Sequence, residues 1–179
     1  MHDDPLPFVE AWLPRLAGAL ATAGRPAPRA LDLAMGRGRH AVCLCRAGFV
    51  PFGVDRRFDA VLDARKRVAA AGCALRAWVA DLERSPLPAR WFDLVLCTRY
   101  LQRDLIPALR AAVTPGGFVL YATFTEGQRL RPAGPRSPAH LLAPGELPAL
   151  FDGWSVMFTE EVETDTDAVA RLIARKPDH

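Results

Sequence analysis

The sequence predicts an α/β fold built on a doubly wound parallel sheet, and three observations carry that expectation. Between Ala30 and Phe124, short apolar runs of strand length alternate with helix-length segments. Gly48 and Gly72 stand where the first two of those helices should stop. Asp32 lies in the first strand, and Asp55 and Asp81 end the second and third, so three acids share the carboxyl edge where open α/β sheets bind ligands.

Each element follows from local pattern. Phe8, Trp12, Leu16 and Leu20 recur near helical spacing, and Pro26 and Pro28 then break the chain. Residues 1–28 therefore read as a helix and linker and 29–179 as one domain, with Phe8 and Trp12 as packing residues. "ALDLAM" suits a buried strand, and Gly36 to Gly38 turn it into a helix from Arg39 to Ala47. His40 falls at the start of that helix and reads as a helix-start polar residue. "FVPFGVD" is a second strand, Asp59 to Ala71 a helix of good helix formers, and "CALRAWVAD" an alternating third strand. "FDLVLCT" is the fourth strand, Leu101 to Val113 a helix interrupted by Pro107, "TPGG" a turn and "FVLYATF" the fifth strand. Thr125 to Ala139 is a long loop, either functional or mobile. Pro144 opens a short helix to Phe151, and "WSVMFTEEVE" alternates as a sixth strand. "DAVARLIARK" stays open: propensity favours helix, while Ala168, Ala170, Leu172 and Ala174 would share one face of a strand.

The 179 residues, 50% hydrophobic and 24% charged, fit a single globular domain with a full core. No apolar run approaches a membrane span, which speaks against a membrane partner. The acids near the start match neither a signal nor a transit peptide, so the expected location is cytoplasmic. Cys43, Cys45, Cys73 and Cys97 sit in apolar periodic segments and are expected as unpaired core residues, with Cys43 and Cys45 on different sides of a helix and no metal site between them. The net charge of +3 comes almost wholly from scattered Arg without interleaved aromatics, which argues against nucleic acid.

Gly36, Gly38 and Ala41 match G-x-G-x-x-G/A, and Asp55 stands where a ribose-binding acid belongs, so a dinucleotide oxidoreductase is one reading. Asp32, just upstream, opposes a pyrophosphate and favours a cationic cofactor instead.

At this point the chain resembles the class I S-adenosylmethionine-dependent methyltransferases, most closely the small members of tellurite-resistance and thiopurine-like type. "LDLAMGRGRHAVCLCRAGF" resembles their first motif, "GVD" the second-strand acid, "VADLE" the third motif, and "FDLVLCTRYL" and "LRAAVTPGGFVLYATF" the fourth and fifth; "RPAGPRSPAHLLAPGELPALF" is similar to a late segment of that group. The resemblance implies a Rossmann-like sheet of seven mostly parallel strands with helices on both faces, the last strand antiparallel. "DAVARLIARK" becomes that strand. It implies S-adenosylmethionine as cofactor, with Asp32 and Ala34 near its amine, Gly36 and Gly38 permitting close backbone approach, Asp55 and its neighbour Arg56 at the ribose, Asp81 and Leu82 at the adenine, and Cys97 at the methionine end. Ala34 replaces the first glycine of the family's D/E-x-G-x-G-x-G, a departure that bears on cofactor affinity.

Methyl transfer from a sulfonium needs an aligned acceptor and excluded water more than a dedicated base. Arg99 and Tyr100, after the fourth strand, are the candidate catalytic residues. Arg99 with Arg129, Arg131, Arg136 and His140 could gather above the methyl, so the expected acceptor is a small molecule, anionic or a soft nucleophile. A non-catalytic S-adenosylmethionine-binding module is the alternative from another class, ahead of a nicotinamide oxidoreductase.

Overall fold

The computed structural model describes residues 4–178. Seven strands form one sheet: β1 Arg29–Leu33, β2 Val50–Asp55, β3 Arg76–Val79, β4 Phe92–Thr98, β5 Val113–Phe124, β6 Ser155–Glu163 and β7 Ala168–Arg175. They lie in the order β3-β2-β1-β4-β5-β7-β6. The first five strands pair in parallel, and β7 runs antiparallel to both β5 and β6. This is the expected mostly parallel seven-stranded α/β sheet. Its order reverses between β1 and β4, which opens a crevice at the carboxyl ends of those strands.

Five helices cover it: α1 Pro7–Thr22, α2 Ala41–Arg46, α3 Phe58–Ala70, α4 Ile106–Ala112 and α5 Glu146–Ala149. The two-residue period of β4 sorts the two cores. Leu94 and Leu96 pack with Val9, Leu13, Leu16 and Leu20 of α1, whereas Val95 and Cys97 join Leu109 of α4 and Leu147 of α5 on the other face. Val61 and Ala64 of α3 seal the outer end of the first face against Met35 and Ala77. Phe8 is buried and Trp12 half-buried, both against Phe158, as packing residues should be.

The ambiguous tail is a strand because of its neighbours. β7 is hydrogen-bonded on both sides, and Ala170, Leu172 and Ala174 are buried in the core shared with α4 and α5, so packing overrides the helical propensity of its alanines. Two expectations near α4 change. Pro107 does not interrupt a helix but stands in the first turn of α4, after a 3-10 turn at Arg103–Leu105, where its missing N–H costs nothing. "TPGG" is not a free turn: β5 already pairs at Val113 with Phe92, and the segment bulges before Phe118 pairs with Leu94.

The long loop is tethered. It folds as 3-10 turns at Glu126–Leu130 and Pro138–His140. Buried Gln128 donates from Nε2 to the carbonyls of Ala133 at 2.8 Å and Thr166 at 3.1 Å, and its Oε1 accepts from the Ala168 N–H at 2.6 Å.

The cysteines correct the expectation of four free thiols. Cys45, near the end of α2, is disulfide-bonded to Cys73, just beyond α3, with their Cα atoms 6.4 Å apart; Cys43 and Cys97 are free. The pairing is a consequence of α2 and α3 packing side by side, which brings together residues 28 apart in sequence. No helix among the described residues is long and apolar enough to cross a membrane.

Candidate active site at the carboxyl edge of the sheet

The loops that leave β1, β2, β3 and β4 enclose a cavity of about 1010 Å³. The turn after β1 builds its floor. Ala34, Gly36 and Gly38 all take left-handed backbone, with φ of 53°, 56° and 70°. Ala34 thus holds the conformation for which glycine is the unstrained residue, at a cost of roughly 1–2 kcal/mol. Gly38 has no such latitude, because a Cβ there would lie 2.7 Å from the Ala64 Cβ. The close approach of α3 to the turn requires a hydrogen at that position.

Asp55 closes β2 and faces the same turn. Its Oδ2 accepts from the Gly36 N–H at 2.8 Å and its Oδ1 from the Arg57 N–H at 3.0 Å. A carboxylate has about four acceptor sites, so each oxygen keeps one for a ligand hydroxyl. At the end of β3, Asp81 is exposed, its Oδ1 accepts from the Glu83 N–H at 3.1 Å, and Leu82 is packed into the core beside it. Arg56, Asp81 and Leu82 line the cavity together with Ala34, Gly36 and Asp55.

Asp32, Gly38 and Cys97 lie behind this wall rather than on it. Asp32 is 1% exposed. Its Oδ2 is a buried oxygen with no hydrogen-bond partner among the described residues. Burial raises its pKa to about 7, with Arg39 opposing the rise and Asp55 adding to it. Burial likewise pushes the Cys97 thiol to about 12.

The exit of β4 supplies the opposite wall, with Thr98, Arg99 and Tyr100 all lining the cavity. Arg99 has φ of 54° and holds its guanidinium 5.9 Å from the centre of the Phe124 ring. Among the described residues it forms no ion pair. Strained non-glycine backbone beside a cavity is a recurrent mark of functional segments. The Tyr100 hydroxyl donates to Gln102 Oε1. Burial, then Cys97 and nearby acids, push that phenol up to about 12, which makes Tyr100 a donor rather than a base at neutral pH.

His40 is more than a helix-start residue. It is buried, its Nε2 accepts from the Leu6 N–H at 3.2 Å, and its Nδ1 lies 3.4 Å from Thr98 Oγ1. Burial first, then Arg39 and Arg99, hold the imidazole neutral with a pKa near about 3. Sequence pattern had no means of finding this contact, since Leu6 and His40 are 34 residues apart.

The long loop does reach the cavity, through Pro135, Ala139 and His140. Its arginines do not line it, contrary to expectation. Arg131 is paired with Glu163 at the end of β6 at 2.8 Å, which ties the loop to the sheet, and Arg136 donates to the carbonyls of Arg129 and Arg131, which closes the loop on itself. Arg103, absent from the sequence reading, holds the loop instead: it pairs with Glu146 at 2.6 Å and donates to the Leu141 carbonyl at 2.9 Å.

Comparison with known proteins bears on this geometry. A family described as "Methyltransferase domain" matches residues 30–117. No curated protein matches the chain in sequence. Among solved structures, an S-adenosylmethionine-dependent methyltransferase from Mesorhizobium loti superposes with a TM-score of 0.72 at 21% identity, over 95% of this chain and 96% of that one. Magnesium protoporphyrin IX methyltransferase from Synechocystis PCC 6803, with bound SAH, gives a TM-score of 0.67 at 18% identity, over 93% of this chain and 83% of that one. The [4+2]-cyclase SpnF gives 0.73 at 16% identity, over 95% and 81%. Residues 30–117 therefore match the methyltransferase-domain family, and the chain has the fold of S-adenosylmethionine-dependent methyltransferases.

Proposed function

We propose that the chain is an S-adenosylmethionine-dependent methyltransferase acting on a small molecule, an anion or a soft nucleophile. The observation that carries the reading is the buried Asp32 oxygen beneath the glycine turn, which has no hydrogen-bond partner among the described residues. A buried carboxylate there disfavours the pyrophosphate of a dinucleotide and suits a cofactor that carries an ammonium and a sulfonium. The rest of the cavity fits the same group: Asp55 has acceptor sites left for two ribose hydroxyls, Asp81 and Leu82 offer an acceptor and an apolar edge to adenine, and Ala34 and Gly36 give close backbone approach.

When bound, S-adenosylmethionine supplies a methyl group already activated on sulfur. The chain's own residues then have three tasks. Asp55, fixed by Gly36 and Arg57, orients the nucleoside. Thr98, Arg99 and Tyr100 form the wall against which an acceptor is aligned, and the Pro135–His140 segment covers it and limits water. Arg99, with no carboxylate partner among the described residues, is the residue that attracts an anionic acceptor. The similarity of the late segment to small tellurite-resistance and thiopurine-like enzymes supports an acceptor of that size.

A binding module without turnover is the second reading, for an acceptor that has to lose a proton: the Tyr100 phenol on the wall, pushed up to about 12, stays protonated at neutral pH and supplies no base. Incubation with methyl-labelled S-adenosylmethionine and a panel of small thiols, carboxylates and amines tests both. Label transferred to any of them supports the enzyme; cofactor binding with transfer to none supports the module; binding of NAD in its place removes both.

A further inference from the structure

The passage from β3 to β4 differs from its neighbours. α2 lies between β1 and β2, α3 between β2 and β3 and α4 between β4 and β5, but residues 80–91 contain no helix. A helix in that crossover would ordinarily cover the sheet beside β3, its outermost strand on that side. A groove of about 480 Å³ opens there instead. The register sets Arg76 beside Phe52 and Trp78 beside Val54, and Phe52, Trp78 and Phe92 reach from the core shared with α4 to the groove. Trp91, at the end of the connection, adds a fourth aromatic ring and is 46% exposed.

Charge selects what these rings can take. Arg65 and Arg76 line the groove, and no acid does. Arg76 holds its guanidinium 5.5 Å from the centre of the Phe52 ring, and Arg29 stands over Trp91 at 4.2 Å. None of these three arginines forms an ion pair among the described residues. A guanidinium stacked on an aromatic ring keeps its edge N–H groups for a carboxylate. The volume is that of a small-ligand site. A docked peptide strand suits it less, because β3 has four residues and its Ala77 carbonyl already accepts from Arg65 Nη2. We propose that this groove is a second binding site, for a small planar aromatic anion whose ring lies against Trp78 and Trp91 and whose carboxylate meets Arg76 and Arg65. It shares no lining residue with the cofactor cavity and does not rest on the methyltransferase reading.

The test is equilibrium dialysis of 2-naphthoate against 2-naphthamide, its uncharged counterpart of the same shape. Titrations in an Arg99→Ala background remove the anion-attracting residue of the first cavity. The carboxylate is expected to saturate one site there and to bind at least about tenfold tighter than the amide. Arg76→Gln should lower that preference at least about threefold with little change for the amide. Trp91→Ala should weaken both probes at least about tenfold, and Trp91→Phe, which keeps a ring, should restore them to within about threefold of the Trp91 protein. Trp91 and Arg76 are both exposed and act through different groups, so Arg76→Gln decides the charge even where Trp91→Ala does not fold. Three results overturn the proposal: no saturable binding of 2-naphthoate up to about 5 mM, equal affinity for the two probes, or affinities unmoved by Trp91→Ala and Arg76→Gln. A concentration-dependent dimer that Trp91→Ala abolishes would make a second copy of the chain the occupant and overturns it as well.

Discussion

Asp55 Oδ2 accepts the Gly36 N–H at 2.8 Å, so the tip of β2 and the glycine turn after β1 form one unit. The bond is local in space but spans 19 residues. It fixes the carboxylate before any ligand arrives, which lowers the ordering cost of binding.

Replacing that carboxylate separates binding from folding. Asp55→Ala should cost about 2 to 4 kcal/mol of cofactor affinity, because charge-assisted hydrogen bonds to the ribose are lost. The unliganded fold should lose only about 1 kcal/mol, since the freed Gly36 N–H sits at a partly exposed turn. Calorimetry with S-adenosylmethionine and thermal melting of the free protein measure the two terms; equal losses in both would make Asp55 a structural residue.

Ala34 offers the opposite experiment. With φ of 53°, Ala34→Gly relieves left-handed strain and should stabilise the free protein by about 1 kcal/mol, net of the entropy that glycine adds to the unfolded chain. Cofactor affinity should be equal or better. A lower melting temperature in Ala34→Gly would show that the methyl group packs usefully there.

Asp32 sets a pH dependence. Its folded pKa of about 7 lies above the ordinary 3.8, so between those values the native state holds a proton that the unfolded chain has lost. Stability from this group is therefore greatest at low pH, falls as pH rises through that window, and stays low above it. Asp32→Asn should leave stability near pH 4 unchanged and raise it at pH 8, by up to about 4 kcal/mol, while weakening cofactor binding. Melting curves of both proteins across pH give the comparison, and a stabilisation independent of pH would place the ionisation elsewhere.

The Cys45–Cys73 bridge closes a loop of 28 residues across α2 and α3. Its removal in Cys45→Ser/Cys73→Ser should lower stability by about 3 kcal/mol through the unfolded chain's entropy. Denaturant unfolding with and without reductant tests this, since reductant should reproduce the loss in wild type and have no effect on the double variant.

What sequence reveals here is what depends on local pattern. β4 runs over the same "FDLVLCT" that its apolar character marks, because a strand buried on both faces is written in contiguous residues. The acids at Asp32, Asp55 and Asp81 were legible because parallel strands bring their carboxyl ends to one edge. The long-range contacts were not. Leu6 with His40, Arg103 with Glu146 and Cys45 with Cys73 join residues distant in sequence, and no periodicity encodes them. The basic loop misled for a related reason: a count of arginines says nothing about direction, and Arg136 turns back to its own loop's carbonyls.

A crystal structure of the protein with S-adenosylhomocysteine tests the central claim most directly. The expected result places both ribose hydroxyls within hydrogen-bond distance of Asp55, adenine against Asp81 and Leu82, and the amino-acid end above Asp32. An adenosine bound anywhere other than between Asp55 and Asp81, or an empty cavity at saturating ligand, would contradict it.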